Sequence, residues 1–93
     1  MRIITDTKAF KRDKKRVEKS NVRYAVKQRF MGALKALVND EPLDYSYHDH
    51  ALTGNWEGYR ECHISFDLVL IYKLEDEILQ LARLGTHREV LGL

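Results

Sequence analysis

The stretch from Leu68 to Leu74, L-V-L-I-Y-K-L, constrains the fold most. It is almost continuously apolar, the pattern of a central strand covered on both faces. A chain of 93 residues makes one domain with a single modest core, so the rest of it must supply strands to either side and cover above and below. Tyr59 to Ser65 alternates, with Arg60, Cys62 and Ile64 on one face and Tyr59, Glu61 and His63 on the other. Ile78 to Leu84 reads as a third strand, reached across Glu75-Asp76-Glu77. Gly85 ends it, and Thr86 can cap a last helical turn.

Upstream, Arg2 to Thr5 is a short β-type run. Thr5 or Asp6 can cap a helix reaching about Lys19, whose apolar stripe is only Phe10 and Val17, with Ala9 beside them. Ser20-Asn21 breaks it and offers the next N-cap. Val22, Ala25, Val26, Phe30, Ala33, Leu34, Leu37 and Val38 then recur at three- and four-residue steps, and the helix ends before Pro42. Two helices joined by so short a break should form an antiparallel hairpin. Glu41 to Gly58 has no sustained period, and a loop this long in a small domain is often functional. The expected fold is α+β over residues 1–93: a short strand and helical hairpin packed on an antiparallel sheet, in the order β-α-α-β-β-β, with a short C-terminal helical turn.

No apolar run is long enough to span a bilayer, and no signal peptide is visible. A single cysteine forbids an internal disulfide and suits a reducing cytoplasm, so a cytoplasmic protein with no membrane partner is expected. The net charge of +2 hides an asymmetry. Residues 1–30 carry 11 Lys and Arg against 3 Asp and Glu, a balance of +8; residues 31–93 carry 5 against 11, a balance of −6. Lys8, Lys11, Arg12, Lys14, Lys15, Arg16 and Lys19 all fall on the first helix, a surface suited to a polyanion such as RNA or simply to solvent.

Histidine is absent from that basic part and appears at 48, 50, 63 and 87. The candidates for reaction chemistry are His50, His63, Asp67 and His87, with Arg83 beside them. Alternation turns His63 away from Cys62 and Ile64, and so away from the core under the helices. Cleaving RNA needs a base for the 2′-hydroxyl proton, an acid for the departing 5′-oxygen, and a cation at the phosphate. Imidazoles and an arginine meet all of these without a metal, and Asp67 can hold one imidazole in its useful tautomer. His48 reads as a solvated loop residue. Zinc on His48, His50, Cys62 and His63 is a weak reading, because alternation turns Cys62 away from His63. Trp56, Tyr59, Gly54 and Gly58 read as loop packing and turn geometry, while Tyr45, Tyr47 and Tyr72 remain open between packing and binding.

The motifs D-H-A-L-T-G-N-W-E-G-Y-R-E-C-H-I, D-L-V-L-I-Y-K-L and L-x-R-L-G-T-H together resemble the YafQ branch of the RelE-like bacterial toxins. The resemblance runs from about Tyr47 to the C-terminus and implies the same α+β fold. It also implies a ribosome-dependent endoribonuclease that cuts mRNA in the decoding site, has no cofactor, and is silenced by a cognate antitoxin. On it, His50 serves as general base and His87 as general acid. His63 and Asp67 orient the attacking hydroxyl and the phosphate, and Arg83 stabilises developing charge. Being at a strand end on the open face, Arg83 and His87 should carry little of the core. Related toxins often have aromatic residues where this chain has Leu68 and Leu91, so base preference should differ. Two rivals differ in chemistry: a gyrase-poisoning toxin of the same fold, which needs no histidine set, and a non-catalytic RNA-binding module using the basic helix alone.

Overall fold

The structure, a computed structural model, describes residues 1–92. Its elements are β1 (Ile3–Asp6), α1 (Lys8–Lys19), α2 (Tyr24–Val38), β2 (His50–Ala51), β3 (Arg60–Ser65), β4 (Leu68–Glu75), β5 (Ile78–Gly85) and α3 (His87–Leu91). They form a five-stranded sheet in the order β1-β5-β4-β3-β2. The β3-β4-β5 meander is antiparallel as expected, and β1 joins β5 in parallel because the two helices carry the chain across the sheet.

The apolar run of β4 lies between two neighbours, and Val69, Leu70, Ile71 and Tyr72 are all buried. Leu70 and Tyr72 face the helices with Cys62, Ile64, Leu79, Leu81 and Leu84, packed against Phe10, Ala33 and Leu37. Val69 and Ile71 face the other way, under Ala82 and Val90, with Leu52, Trp56 and Tyr59 at the edge. The second face is therefore only partly roofed, by the 39–59 loop and α3, and the rest is open for a site. Trp56 and Tyr59 pack edge to face, 5.1 Å between centroids, in the structural role expected of them.

The helix boundaries differ from expectation for local reasons. β1 extends to Asp6, so Thr7 caps α1: its Oγ1 accepts the Phe10 N–H at 3.0 Å and its hydroxyl donates to the Ala82 carbonyl at 2.7 Å. Ser20 closes α1 instead of opening α2, because its hydroxyl turns back to the Val17 carbonyl and Asn21 adopts a left-handed φ of 62°. α2 starts after Arg23 with no side-chain cap. Among the described residues, no helix is long and apolar enough to cross a membrane.

Candidate active site

Pairing across the sheet brings the site together. His50 on β2 stands opposite Glu61 on β3, Glu61 opposite Ile71 on β4, and Ile71 opposite Arg83 on β5. One row over, His63 stands opposite Val69 and Val69 opposite Gly85, after which the chain turns to His87 at the start of α3. His50, His63 and His87 therefore meet on the open face around the side chain of Glu61, which is only 2% exposed.

Glu61 Oε2 lies 3.5 Å from His50 Nε2, and Oε1 lies 3.4 Å from His63 Nε2 and in hydrogen-bond contact with His87 Nε2. His50 Nδ1 donates to the His48 carbonyl at 2.8 Å, so in the neutral ring the lone pair sits on Nε2, aimed into the cluster. Asp67 Oδ1 accepts the His87 backbone N–H at 3.4 Å and lies 3.5 Å from His87 Nδ1. Both ring nitrogens of His87 thus face carboxylate oxygens. Burial pushes the pKa of His63 below its ordinary value. Glu61 opposes that shift, and the other three imidazoles reinforce it.

The loop that delivers His50 is held from beneath. Asp49 accepts from Arg60 Nη2 at 2.9 Å and from the Tyr72 hydroxyl, which fixes the backbone between His48 and His50. Arg29 on α2 ties the loop to β3, where the β3–β4 register shifts between His63 and Ser65. It donates to the carbonyls of Ile64 at 2.8 Å, His63 at 3.0 Å and Ser46 at 3.0 Å, and lies over the Tyr47 ring. His48 is an exposed loop residue as expected, and its ring stands edge-on to His63 at 5.6 Å between centroids.

Two expected residues lie elsewhere. Arg83 shares the Glu61–Ile71 row, yet its guanidinium runs to α1, where Nε and Nη2 donate to Asp13 at 2.7 and 3.2 Å. No hydrogen bond or ion pair joins it to Glu61, Asp67 or a histidine among the described residues. Arg16 is exposed yet also engaged, with Asp13 at 2.9 Å, the Leu84 carbonyl at 3.0 Å and Glu89 at 3.3 Å. Lys8, Lys11, Arg12, Lys14, Lys15 and Lys19 are exposed.

Glu61, His63 and His87 each place a ligand atom within 4.8 Å of the others, a mixed N/O set of the kind that binds Cu²⁺ or Zn²⁺. This differs from the set containing Cys62, which is buried on the helix side. Glu61, Arg29 and Asp13 escaped the sequence reading. Of these only Glu61 left a signal, its position two residues before His63 on the same strand face.

The family described as bacterial toxin of type II toxin–antitoxin system, YafQ, matches residues 2–92. A YafQ toxin of Haemophilus influenzae is 39% identical over 90 residues, covering 92% of this chain and 88% of that protein. The mRNA interferase toxin YafQ of Escherichia coli K12 is 45% identical over 67 residues, 67% of this chain and 73% of its own. Among solved structures, a copper-bound mutant toxin from Helicobacter pylori superposes with a TM-score of 0.88 at 36% identity, covering 97% of this chain and 99% of that one. YafQ in the E. coli DinJ–YafQ complex gives 0.87 at 34%, covering 99% and 100%. This chain belongs to the YafQ family of toxins of bacterial type II toxin–antitoxin systems.

Proposed function

We propose that this protein is an endoribonuclease that cuts mRNA on translating ribosomes in the cytoplasm by metal-independent acid–base catalysis, and that a cognate antitoxin silences it. The observation that carries the reading is the buried Glu61 carboxylate shared by His50, His63 and His87. His50 Nε2 takes the proton of the 2′-hydroxyl, the 2′-oxygen attacks phosphorus, and the P–O5′ bond breaks as His87 protonates the leaving 5′-oxygen. One ring gains a proton and another loses one. Glu61 touches both, so it can return the proton and reset the site. His63, whose pKa burial lowers, orients the attacking group by donating its ring N–H to the 2′-oxygen. Asp67 orients His87. Arg83 reaches the phosphate by leaving Asp13 and crossing Ile71 along the row it already shares with Glu61.

The E. coli relatives carry the mRNA interferase name and crystallise with DinJ, which supports a message substrate and a small protein partner for this chain. A gyrase-poisoning toxin would need no buried acid among imidazoles. The metal named for the H. pylori toxin has a counterpart set here. An ion on Glu61, His63 and His87 would occupy the atoms that proton transfer uses, so copper should inhibit.

Programmed ribosomes under single-turnover conditions test the reading. Wild type should cut message in excess EDTA and do little to naked RNA. Glu61→Gln and His87→Gln should each slow cleavage by at least ~10²-fold. Loss of wild-type cleavage in EDTA, with the ribosomes intact, would sink the metal-independent mechanism.

A further inference from the structure

Three tyrosines of equal standing in the sequence have different fates in the fold. Tyr72 is buried against Asp49, and Tyr47 is buried with its hydroxyl donating to the Arg29 carbonyl at 2.8 Å. Tyr45 is 89% exposed, although its backbone is held by the turn it sits in, where the His48 N–H reaches the Tyr45 carbonyl at 3.1 Å. A second aromatic, Phe66, is 99% exposed in the tight turn between β3 and β4. Neither ring contributes to either side of the core.

Tyr45 borders the site at one end, and Phe66 occupies the turn next to Asp67 at the other. Ring centroids run from Tyr45 to His48 at 5.8 Å, from His48 to His63 at 5.6 Å, and from His63 to His87 at 5.1 Å. His87 then meets Asp67, and Phe66 is the residue before it. A hollow lined by Pro42, Leu43, Tyr45, His48 and His50 opens at the first end. Arg29 holds both ends, since one guanidinium binds Ser46 beside Tyr45 and the strand that leads into Phe66. Two flat, solvated rings on fixed backbones, one at each end of an acid–base row, match how proteins hold single-stranded nucleic acid.

We propose that Tyr45, backed by His48, and Phe66 are base-stacking platforms for the nucleotides on either side of the scissile phosphate. This rests on the ribonuclease reading above. Leu68 cannot take the part, because it packs against the helix-side core, and Leu91 packs on the opposite cluster. The exposed rings thus sit two residues before Leu68 and in the loop ahead of His50, and they set which bases flank the cut.

The experiment uses the full chain on ribosomes programmed with message carrying either a normal or an abasic nucleotide on one side of the cut. Tyr45→Ala and Phe66→Ala should each lower kcat/KM by ~5- to ~150-fold, the loss of one stack, and shift the preferred bases. The pH–rate profile and Tm should not move. Tyr45→Phe and Phe66→Tyr should retain cleavage, whereas Tyr45→Leu and Phe66→Leu, apolar but not flat, should not. The loss from each alanine should vanish on message that is already abasic at the matching position. Leucine variants that cut like wild type overturn the proposal. So do additive losses, which put the rings on ribosomal bases, and unchanged cleavage with weakened antitoxin capture, which makes them a protein contact. Wild type that fails to cut any message fails the ribonuclease reading instead.

Discussion

Glu61 is buried to 2% exposure with ring nitrogens of three imidazoles around its carboxyl oxygens, the polar partners that a buried acid requires. The same crowding acts on His63, whose pKa burial lowers. Between the ordinary value of 6.5 and that lower one, the unfolded chain binds the proton and the folded chain does not. Stability is therefore highest above that window and falls as pH drops through it. His63→Gln should flatten the decline of Tm on the acid side of pH 6.5, and an unchanged slope would remove His63 as its source. On the opposite face of the same strand, burial pushes the Cys62 thiol up to about 12, so the native protein should resist alkylation at neutral pH. Cys62→Ala should keep full cleavage at a cost of about 1 kcal/mol in stability, read by denaturant unfolding. Rapid labelling of the folded protein would contradict its placement.

At the scale of the element, α1 divides its charges between two tasks. Its inward side carries Phe10, Asp13 and Val17, with Asp13 2% exposed in what reads in the sequence as an unbroken polar interval. Arg16 leans over the end of β5 toward Glu89, while Lys8, Lys11, Lys14, Lys15 and Lys19 are exposed. A test of ribosomal RNA binding must therefore leave Arg16 intact. Changing Lys11, Lys14 and Lys15 together to Glu should weaken ribosome affinity and flatten its log–log salt dependence, by roughly 0.7 to 0.9 per lost phosphate contact. The cleavage rate at saturating ribosome should hold, because these residues lie across the sheet from the histidines. An unchanged salt slope would make them a solvated face only.

Across the whole molecule, Asp13 joins three elements. It accepts from Arg83 on β5, the Leu84 N–H at 3.0 Å, and Arg16, which in turn holds Glu89 of α3. Burial pushes its carboxyl up, but the hydrogen bonds from Arg83, Leu84 and Arg16 outweigh that and hold it below the usual carboxylate range. A Cβ at Gly85 would lie 2.7 Å from Arg16 Nη2 and 2.9 Å from Glu89 Oε1, so both side-chain ends would have to shift to admit one. Arg83 is thus more structural than its place at a strand end suggests. Arg83→Ala should cost ~1–3 kcal/mol, the scale for stripping a partner from a buried charge, besides slowing cleavage. His87→Gln should slow cleavage with little change in Tm. A fully stable Arg83→Ala protein would show that the Asp13 pair contributes nothing to the fold.

Local pattern alone determined the meander, the two helices and the side of β3 on which His63 lies, because alternation and helical spacing depend on neighbouring residues. It also singled out His50, His63, Asp67 and His87 as a set. The convergence of His50, His63 and His87 on Glu61, the commitment of Arg83 to Asp13, and the tying of loop to strand by Arg29 were decided only by tertiary structure. The longest of these contacts spans 70 residues of chain, between Asp13 and Arg83. Long-range pairing of a buried charge leaves no periodic trace, since its energy depends on what the fold places beside it.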